Sequence, residues 1–258
     1  MFIETRSTYR ADRPEELRPV GEVEFVQGLA AASTTGLYGL GRAAAAIVGY
    51  ADLKLGDRVQ PVLEALQAAS PNRFRGIRHA VGWNAYSGLA KRDTQGALSI
   101  DGYRAGASIL AKMGLTLDNS LYFHQLYELV DFARAVPDLT IVLNQIGGLL
   151  RIGLYANRDD EMLAEWRKAV AAAAQCPNIV IKLGGVGQRR YGFDWHKRNE
   201  PIGSEELAEY LAPLMTYCFE QCGPERCMFE SNFPWTRFLI RTISVPCLET
   251  PVQILLAQ

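Results

Sequence analysis

Short apolar runs rich in β-branched residues alternate along this chain with longer stretches whose apolar positions recur at helical spacing. MFIET (1–5) reads as the end of a strand and RPVGEVEFVQGLAAAS (18–33) as a helix of imperfect spacing. AAAAIVGY (43–50) is an apolar run, after which Asp57 is placed to cap a helix over RVQPVLEALQAA. FRGIRHA (74–80) is a strand, GYRAGASILAKM (102–113) a helix ended by Gly114, and LTLDNSLY (115–122) a strand. A helix over HQLYELVDFARAV (124–136) stops at Pro137, and LTIVLNQIG (139–147) is a strand. DDEMLAEWRKAVAAAAQC (159–176) is the clearest helix, with acids in its first turn, and NIVIKLGG (178–185) is a strand. Ser204, with Glu205 and Glu206 beside it, starts the helix EELAEYLAPLMTYCFEQC, Gly223 closes it, and RCMFESN (226–232) is the last strand.

Continuous apolar strands alternating with helices predict a parallel sheet covered on both faces. Seven such units, with no GxGxxG after the first strand, predict a (β/α)₈ TIM barrel rather than a dinucleotide fold. The glycine-rich GLYGLG (36–41) precedes a strand, so it reads as a loop and not as a phosphate cradle. Past Pro234 the rhythm fails. WTRFLIRTISVPCLETPVQILLAQ (235–258) carries two prolines and no helical period where a closing helix is expected. We therefore expect a barrel over residues 1–234 and a divergent tail over 235–258.

Composition changes this picture little. With 258 residues, 48% of them hydrophobic, the chain can bury one barrel-sized core. A net charge of −1 gives no electrostatic reason to expect nucleic acid or an anionic membrane as partner. No apolar run reaches the roughly 18 residues of a membrane span. The first residues lack the basic-then-apolar order of a signal peptide, so a cytoplasmic protein acting on a small molecule is expected. The five cysteines are odd in number, which argues against a disulfide framework. Cys218 and Cys222 lie one helical turn apart and are expected to face the core, and Cys227 opens a strand.

In a barrel of this class the chemistry sits at the C-terminal ends of the strands. Those ends carry Arg78 and His79, then Asp118 and Asn119 with His124 just beyond, then Asn144 and Gln145, Lys182, and finally Glu230 and Asn232. Each has a plainer alternative. His79 could close its strand, His124 could satisfy backbone groups at a helix start, Lys182 could be an ion-pair partner, and Asn232 could be a turn residue. His196, in the loop after NIVIKLGG, is open between a lid residue and an exposed one. Trp83, Tyr86 and Trp195 are open between an aromatic wall for a ring-shaped substrate and simple loop packing.

Taken together, FRGIRH, FHQLYELVDFARAVPDLTIVLNQIGG, EWRKAVAAAAQCPNIVIKLGGVG and GPERCMFESNFP resemble the amidohydrolase-related family, TIM-barrel hydrolases that include lactonases acting on sugar lactones and pyrone dicarboxylate. By the family's order MFIET is the end of the second barrel strand, so the first strand is absent and the barrel incomplete. FRGIRH is then the fourth strand, LTLDN the fifth, IVLNQ the sixth, NIVIKLGG the seventh and RCMFESN the eighth. The family's first strand carries His-x-His, which this chain lacks. Its sixth strand ends in a histidine where Gln145 stands here, and its eighth in an aspartate where Asn232 stands.

The resemblance implies a hydrolase of a lactone or another small carboxylate-bearing ester or amide, with water attacking the carbonyl. His79, His124, Asn232 and Glu230 are the catalytic candidates, with Glu230 as substitute base. Arg78, Asn144, Gln145, Lys182, Trp83 and His196 are the substrate-binding candidates. Family members bind a divalent metal such as zinc, but its ligands are largely missing here, so no metal cofactor is expected. The alternatives are a catalytically inactive barrel remnant and a metal-dependent decarboxylase of the same superfamily. Met1 falls inside a strand pattern, which suggests a truncated chain whose open seam would invite self-association.

Overall fold

The computed structural model describes residues 1–86, 89 and 94–232. The tail over 235–258 lies outside the described residues, as does part of the loop after His79. Seven short strands carry the rhythm read from the sequence: β1 (Phe2–Ile3), β2 (Ile47–Gly49), β3 (Phe74–Arg78), β4 (Thr116–Asn119), β5 (Ile141–Leu143), β6 (Ile179–Gly184) and β7 (Cys227–Glu230). They form one sheet in chain order from β1 to β7. β1 and β2, β2 and β3, β3 and β4, and β6 and β7 pair in parallel, with Phe2 opposite Ile47, Gly76 opposite Thr116 and Ile181 opposite Cys227. The helices between them are α1 (Val20–Ser33), α2 (Gln60–Ala69), α3 (Asp101–Lys112), α4 (Leu126–Ala135), α5 (Asp159–Ala174) and α6 (Ser204–Cys222). A helix after every strand from β1 to β6 and unbroken strand order make this the incomplete (β/α)₈ barrel that the pattern predicted.

The strands read as continuous apolar runs because both faces are covered. All three residues of β2 and of β5 are buried, and in β6 only Val180 is not. α5 shows the complementary logic of a helix. Met162, Trp166, Ala169, Val170 and Ala173 recur at helical spacing on its buried side, while Asp159, Asp160 and Glu161 sit where the N-terminal dipole favours acids. The imperfect spacing of α1 also has a cause. Val20, Val23, Val26 and Ala30 are buried, yet Phe25 and Leu29 stand half-exposed on the other side.

Two helix starts differ from expectation. Asp57 does not cap α2, because it lies within a 3₁₀ turn over Leu53–Val59 that Asp52 caps by accepting the Lys54 N–H at 2.9 Å. Pro61, in the first turn of α2, fixes where that helix begins, since its missing N–H costs nothing there. Ser204 is already helical, and Gly203 is the cap residue, with no side-chain hydrogen bond. Cys218 and Cys222 are buried on α6 and Cys227 opens β7, as the spacing implied.

The chain divides into two compact units, one over Met1–Val81, Gly96–Asn119 and Asp131–Ile141, the other over Gly82–Gln95, Ser120–Val130 and Val142 onward. In the second unit Arg226, just ahead of β7, ties several chain segments together. Its guanidinium donates to the carbonyls of Ala174 at 2.9 Å, Cys176 at 3.0 Å, Ile179 at 3.3 Å and Cys222 at 3.0 Å. These are the end of α5, the turn into β6 and the end of α6, where helix carbonyls lack partners of their own. No described helix is long and apolar enough to cross a membrane.

Candidate active site

In the first unit the polar strand ends are closely engaged with one another. Arg78, closing β3, donates from Nε to Glu4 Oε1 at 2.8 Å and from Nη2 to the Glu4 carbonyl. Glu4 is 5% exposed, so this is a largely buried ion pair and the Arg78 charge is met by a carboxylate of the chain. His79 follows, buried between the rings of Tyr50 and Tyr103 at centroid distances of 5.6 and 5.1 Å. Its Nδ1 accepts the Leu53 backbone N–H at 3.3 Å, and Nε2 faces Asp52 Oδ1 at 4.0 Å. An accepting Nδ1 places the ring N–H on Nε2, toward Asp52. Asn119, ending β4, is buried and donates to the Tyr103 hydroxyl at 3.4 Å.

The second unit brings together the other strand ends. Gln145, just past β5, donates from Nε2 to Asn232 Oδ1 at 3.4 Å. Arg190 donates to Gln145 Oε1, and no ion pair joins Arg190 to a carboxylate among the described residues. Its guanidinium packs over the rings of Tyr122 and Tyr191, at 5.8 and 5.4 Å, and its Nε is buried without a partner. Lys182, only 1% exposed on β6, faces Glu230 Oε2 at 4.0 Å, so the last residue of β7 carries a carboxylate beside a buried ammonium. Asn144 is buried with its Nδ2 unpartnered.

Local sequence explains why these groups converge. The pair Gly184–Gly185 after Leu183 leaves no room for side chains. A Cβ on Gly184 would meet the Glu230 carbonyl oxygen at 2.2 Å, and one on Gly185 would meet Gln145 Cγ at 2.5 Å. The glycines thus let the ends of β5, β6 and β7 close up. Gln145 itself begins a left-handed turn, for Gln145, Ile146, Gly147 and Gly148 all have positive φ, between 48° and 76°. Such backbone costs of order 1–3 kcal/mol for a non-glycine residue and persists only when neighbours hold it. Here two buried aromatic donors do so. The Tyr191 hydroxyl donates to the Gln145 carbonyl and the Trp166 indole to the Ile146 carbonyl, both at 2.7 Å. Burial pushes the Tyr191 phenol up to about 12, so it remains a donor at any working pH.

The remaining expected residues take supporting places. His124 lies among Tyr122, Phe123 and Tyr155 and donates from Nε2 to the Trp83 carbonyl at 3.1 Å. The Trp83 N–H in turn donates to Gln125 Oε1 at 2.9 Å, so residues 124 and 125 grip the Trp83 peptide from both sides. Trp195 is buried and stacked on Phe193 at 4.4 Å, and the Tyr86 ring lies against Gly153, so both pack loops. His196 is half-buried on the turn Trp195–Lys197, with no hydrogen bond to the cluster among the described residues.

Burial lowers the His124 pKa, with the Trp83 hydrogen bond opposing. Because the folded pKa lies below the unfolded one, the neutral ring's contribution is full above about pH 6.5 and is lost as pH falls through the folded value. In His124→Gln, which keeps a donor for Trp83, we expect stability to fall less between pH ~7.5 and ~5 than in the native chain. Urea midpoints across that range check this, and parallel pH slopes for the two proteins would count against it.

The family model described as Amidohydrolase matches residues 6–241. The chain belongs to the amidohydrolase family. Among curated relatives, an uncharacterized protein y4mH from Sinorhizobium fredii is 29% identical over 216 residues, covering 84% of this chain and 62% of that protein. An L-fucono-1,5-lactonase from Burkholderia multivorans is 25% identical over 190 residues, covering 74% and 57%. The chain thus spans about three-fifths of the length of the curated relatives it matches. A crystal structure of an amidohydrolase from Burkholderia multivorans with bound HEPES has a TM-score of 0.69 at 22% identity, covering 92% of this chain and 71% of that one. A probable 2-pyrone-4,6-dicarboxylic acid hydrolase from Acinetobacter baumannii with citric acid bound has a TM-score of 0.56 at 11% identity, covering 95% and 75%. These two share the fold.

A further crystal form of the Burkholderia amidohydrolase holds zinc. Zinc at a catalytic site takes about three His or carboxylate ligands plus water. At the ends of β5 and β7 this chain offers the neutral amides of Gln145 and Asn232. Among the described residues no group of three or more His, Cys, Asp or Glu is placed to hold a metal. The described residues do not fit the ion.

Several members of these clusters escaped the sequence reading. Glu4 and Asp52 lie just past β1 and β2, in segments read only for their apolar content. Arg190, Tyr191 and Trp166 lie in a loop and a helix. For Arg190 and Tyr191 a signal existed in QRRYG (188–192), two bases before a tyrosine just beyond a glycine pair at a strand end.

Proposed function

We propose that this amidohydrolase-family chain hydrolyses a lactone or another small carboxylate-bearing ester, with the reaction held at the ends of β5, β6 and β7. The observation that carries this is the convergence there of the Lys182–Glu230 pair at 4.0 Å and the Gln145–Asn232 pair at 3.4 Å, with Arg190 on Gln145. A water oriented by the Asn232 and Gln145 amides attacks the ester carbonyl. Glu230 accepts its proton, and the positive charge of Arg190 and Lys182 meets the developing oxyanion. Collapse of the tetrahedral centre breaks the ring C–O bond, and the departing alkoxide takes the proton back from Glu230. Arg78 and His79 are engaged with Glu4, Leu53 and Asp52, and this chemistry uses neither. The relative named for fuconolactone hydrolysis supports a sugar lactone as the substrate class.

A second reading has its own observation. Two neutral amides stand where the resembling family carries a histidine and an aspartate, which suits a barrel that binds a small carboxylate without turning it over. A decarboxylase ranks below both, because its chemistry calls for a metal that the described residues do not fit. A pH-indicator assay of the folded chain against 1,5- and 1,4-lactones of sugar acids and a pyrone dicarboxylate separates the first two. We expect proton release with at least one 1,5-lactone. Binding of the corresponding hydroxy acid with no release above buffer from any lactone would favour the second reading.

A further inference from the structure

The left-handed turn at Gln145 does more than reverse the chain. Gln145 and Ile146 hold φ of 56° and 48°, a region that glycine enters freely and residues with side chains resist. A turn that served only to redirect the chain would carry glycine at 145, as it does at 147 and 148. A side chain is kept there against the preference of the backbone, so the placing of that side chain is what the turn achieves.

The three-residue turn Arg189–Tyr191, past β6, grips Gln145 at both ends. Arg190 donates to the side-chain Oε1, and the Tyr191 hydroxyl donates to the main-chain carbonyl at 2.7 Å. The Tyr191 ring also lies under the Arg190 guanidinium, at 5.4 Å. This turn is itself seated, since the Arg190 carbonyl accepts the Arg151 N–H at 2.8 Å. A guanidinium has donors only, so Arg190 fixes which end of the Gln145 amide it meets. Oε1 turns to Arg190, and Nε2 is left to donate to Asn232 Oδ1 at 3.4 Å.

We propose that Tyr191 is a positioning residue for the hydrolysis, holding the Gln145 amide and the Arg190 guanidinium in the arrangement that serves the attacking water. The inference rests on the hydrolase reading of this cluster. Tyr191 is 0% exposed and its hydroxyl is engaged by a peptide carbonyl, so it acts through Gln145 and not on the substrate. Removing the hydroxyl frees the Gln145 peptide to leave the left-handed region, and the amide swings with it.

Tyr191→Phe deletes the hydroxyl and keeps the ring under Arg190. It is expected to lower kcat for a 1,5-lactone by roughly 10–10²-fold, with KM within about threefold of native. A double-mutant cycle with Gln145→Ala tests the route. In that background Tyr191→Phe is expected to lower kcat by less than about twofold, because the amide it positions is gone, whereas a residue that only supports the fold acts alike in both. The same cycle is read without turnover in ¹⁵N-labelled protein. Tyr191→Phe is expected to shift the Asn232 side-chain amide signals when Gln145 is present and to leave them in place in Gln145→Ala. Trp166→Phe removes the donor to the Ile146 carbonyl of the same turn. It is expected to give the same pattern, and it stands in if Tyr191→Phe does not fold. Native kcat in Tyr191→Phe, equal losses in the two backgrounds, or Asn232 signals that respond alike with and without Gln145 would overturn the proposal. If the native chain turns over no lactone, the hydrolase reading fails on its own, and the amide signals alone decide whether Tyr191 positions Gln145.

Discussion

Glu230→Gln is expected to lower kcat/KM for lactone hydrolysis by roughly 10²–10⁴-fold, the usual worth of a positioned general base. The substitution keeps the shape of the side chain and removes only its capacity to take a proton. Glu230 is the carboxylate that the end of β7 supplies to the cluster, with its carboxyl oxygen 4.0 Å from Lys182 Nζ. Lys182 is 1% exposed, so its ammonium is held in an environment where removing a facing charge costs stability as well. The two effects separate experimentally. Rates are referred to folded protein by circular dichroism, and a loss confined to the melting temperature, with kcat/KM within about threefold of native, would remove Glu230 from the chemistry. Asn232→Asp provides the converse. It restores a carboxylate five residues past the start of β7, beside Gln145, and is expected to raise the rate.

Arg226→Ala is expected to destabilise the fold by about 3 kcal/mol, read as a drop in melting temperature of roughly 6–12 °C. The guanidinium serves the carbonyls of Ala174, Cys176, Ile179 and Cys222 at once, from 2.9 to 3.3 Å. Each hydrogen bond to a charged donor is worth more than a neutral one, but the four share one half-buried side chain and do not add. Truncation leaves the Ala174 and Cys222 carbonyls at two helix ends short of a donor, whereas the Cys176 carbonyl keeps the Ile179 N–H at 3.1 Å. Arg226→Lys is expected to recover only part of the loss, because one ammonium cannot match the fork of the guanidinium. Equal melting temperatures for native and Arg226→Ala would show that water satisfies these carbonyls equally well.

The fold was largely legible because its signals are local and periodic. The seven apolar runs became seven strands in order, and the helical stretches between them became helices. Errors fell at boundaries, where one residue decides. Asp57 looked like a cap, but Pro61 moved the helix start two residues along and left Asp57 inside a 3₁₀ turn. The strands themselves are shorter than their apolar runs. β7 ends at Glu230, and Asn232 has φ +51°, so alternation along a strand does not relate those two side chains.

The site was less legible, for a different reason. The sequence nominated the polar strand ends, but the partners they meet in the fold come from elsewhere in the chain. Arg78 could be nominated as a free cation only while Glu4, 74 residues away in sequence, was unseen. Arg190 has the reverse history: it drew no notice in its loop, yet it contacts Gln145 across 45 residues. The left-handed turn at Gln145 carries no local warning either, because glutamine and isoleucine do not favour it. It is set by the Tyr191 and Trp166 donors, which only the folded chain brings to those carbonyls.

The proposed hydrolysis requires that a small carboxylate-bearing lactone is held at the ends of β5, β6 and β7. Titrating ¹⁵N-labelled protein with the hydroxy acid released from a 1,5-lactone tests it most directly, because side-chain amides report on ligand contact whether or not turnover occurs. The Gln145 and Asn232 side-chain amide signals are expected to shift together and saturably. Saturable shifts confined to residues around His79 and Asp52, with Gln145 and Asn232 unmoved, would contradict it.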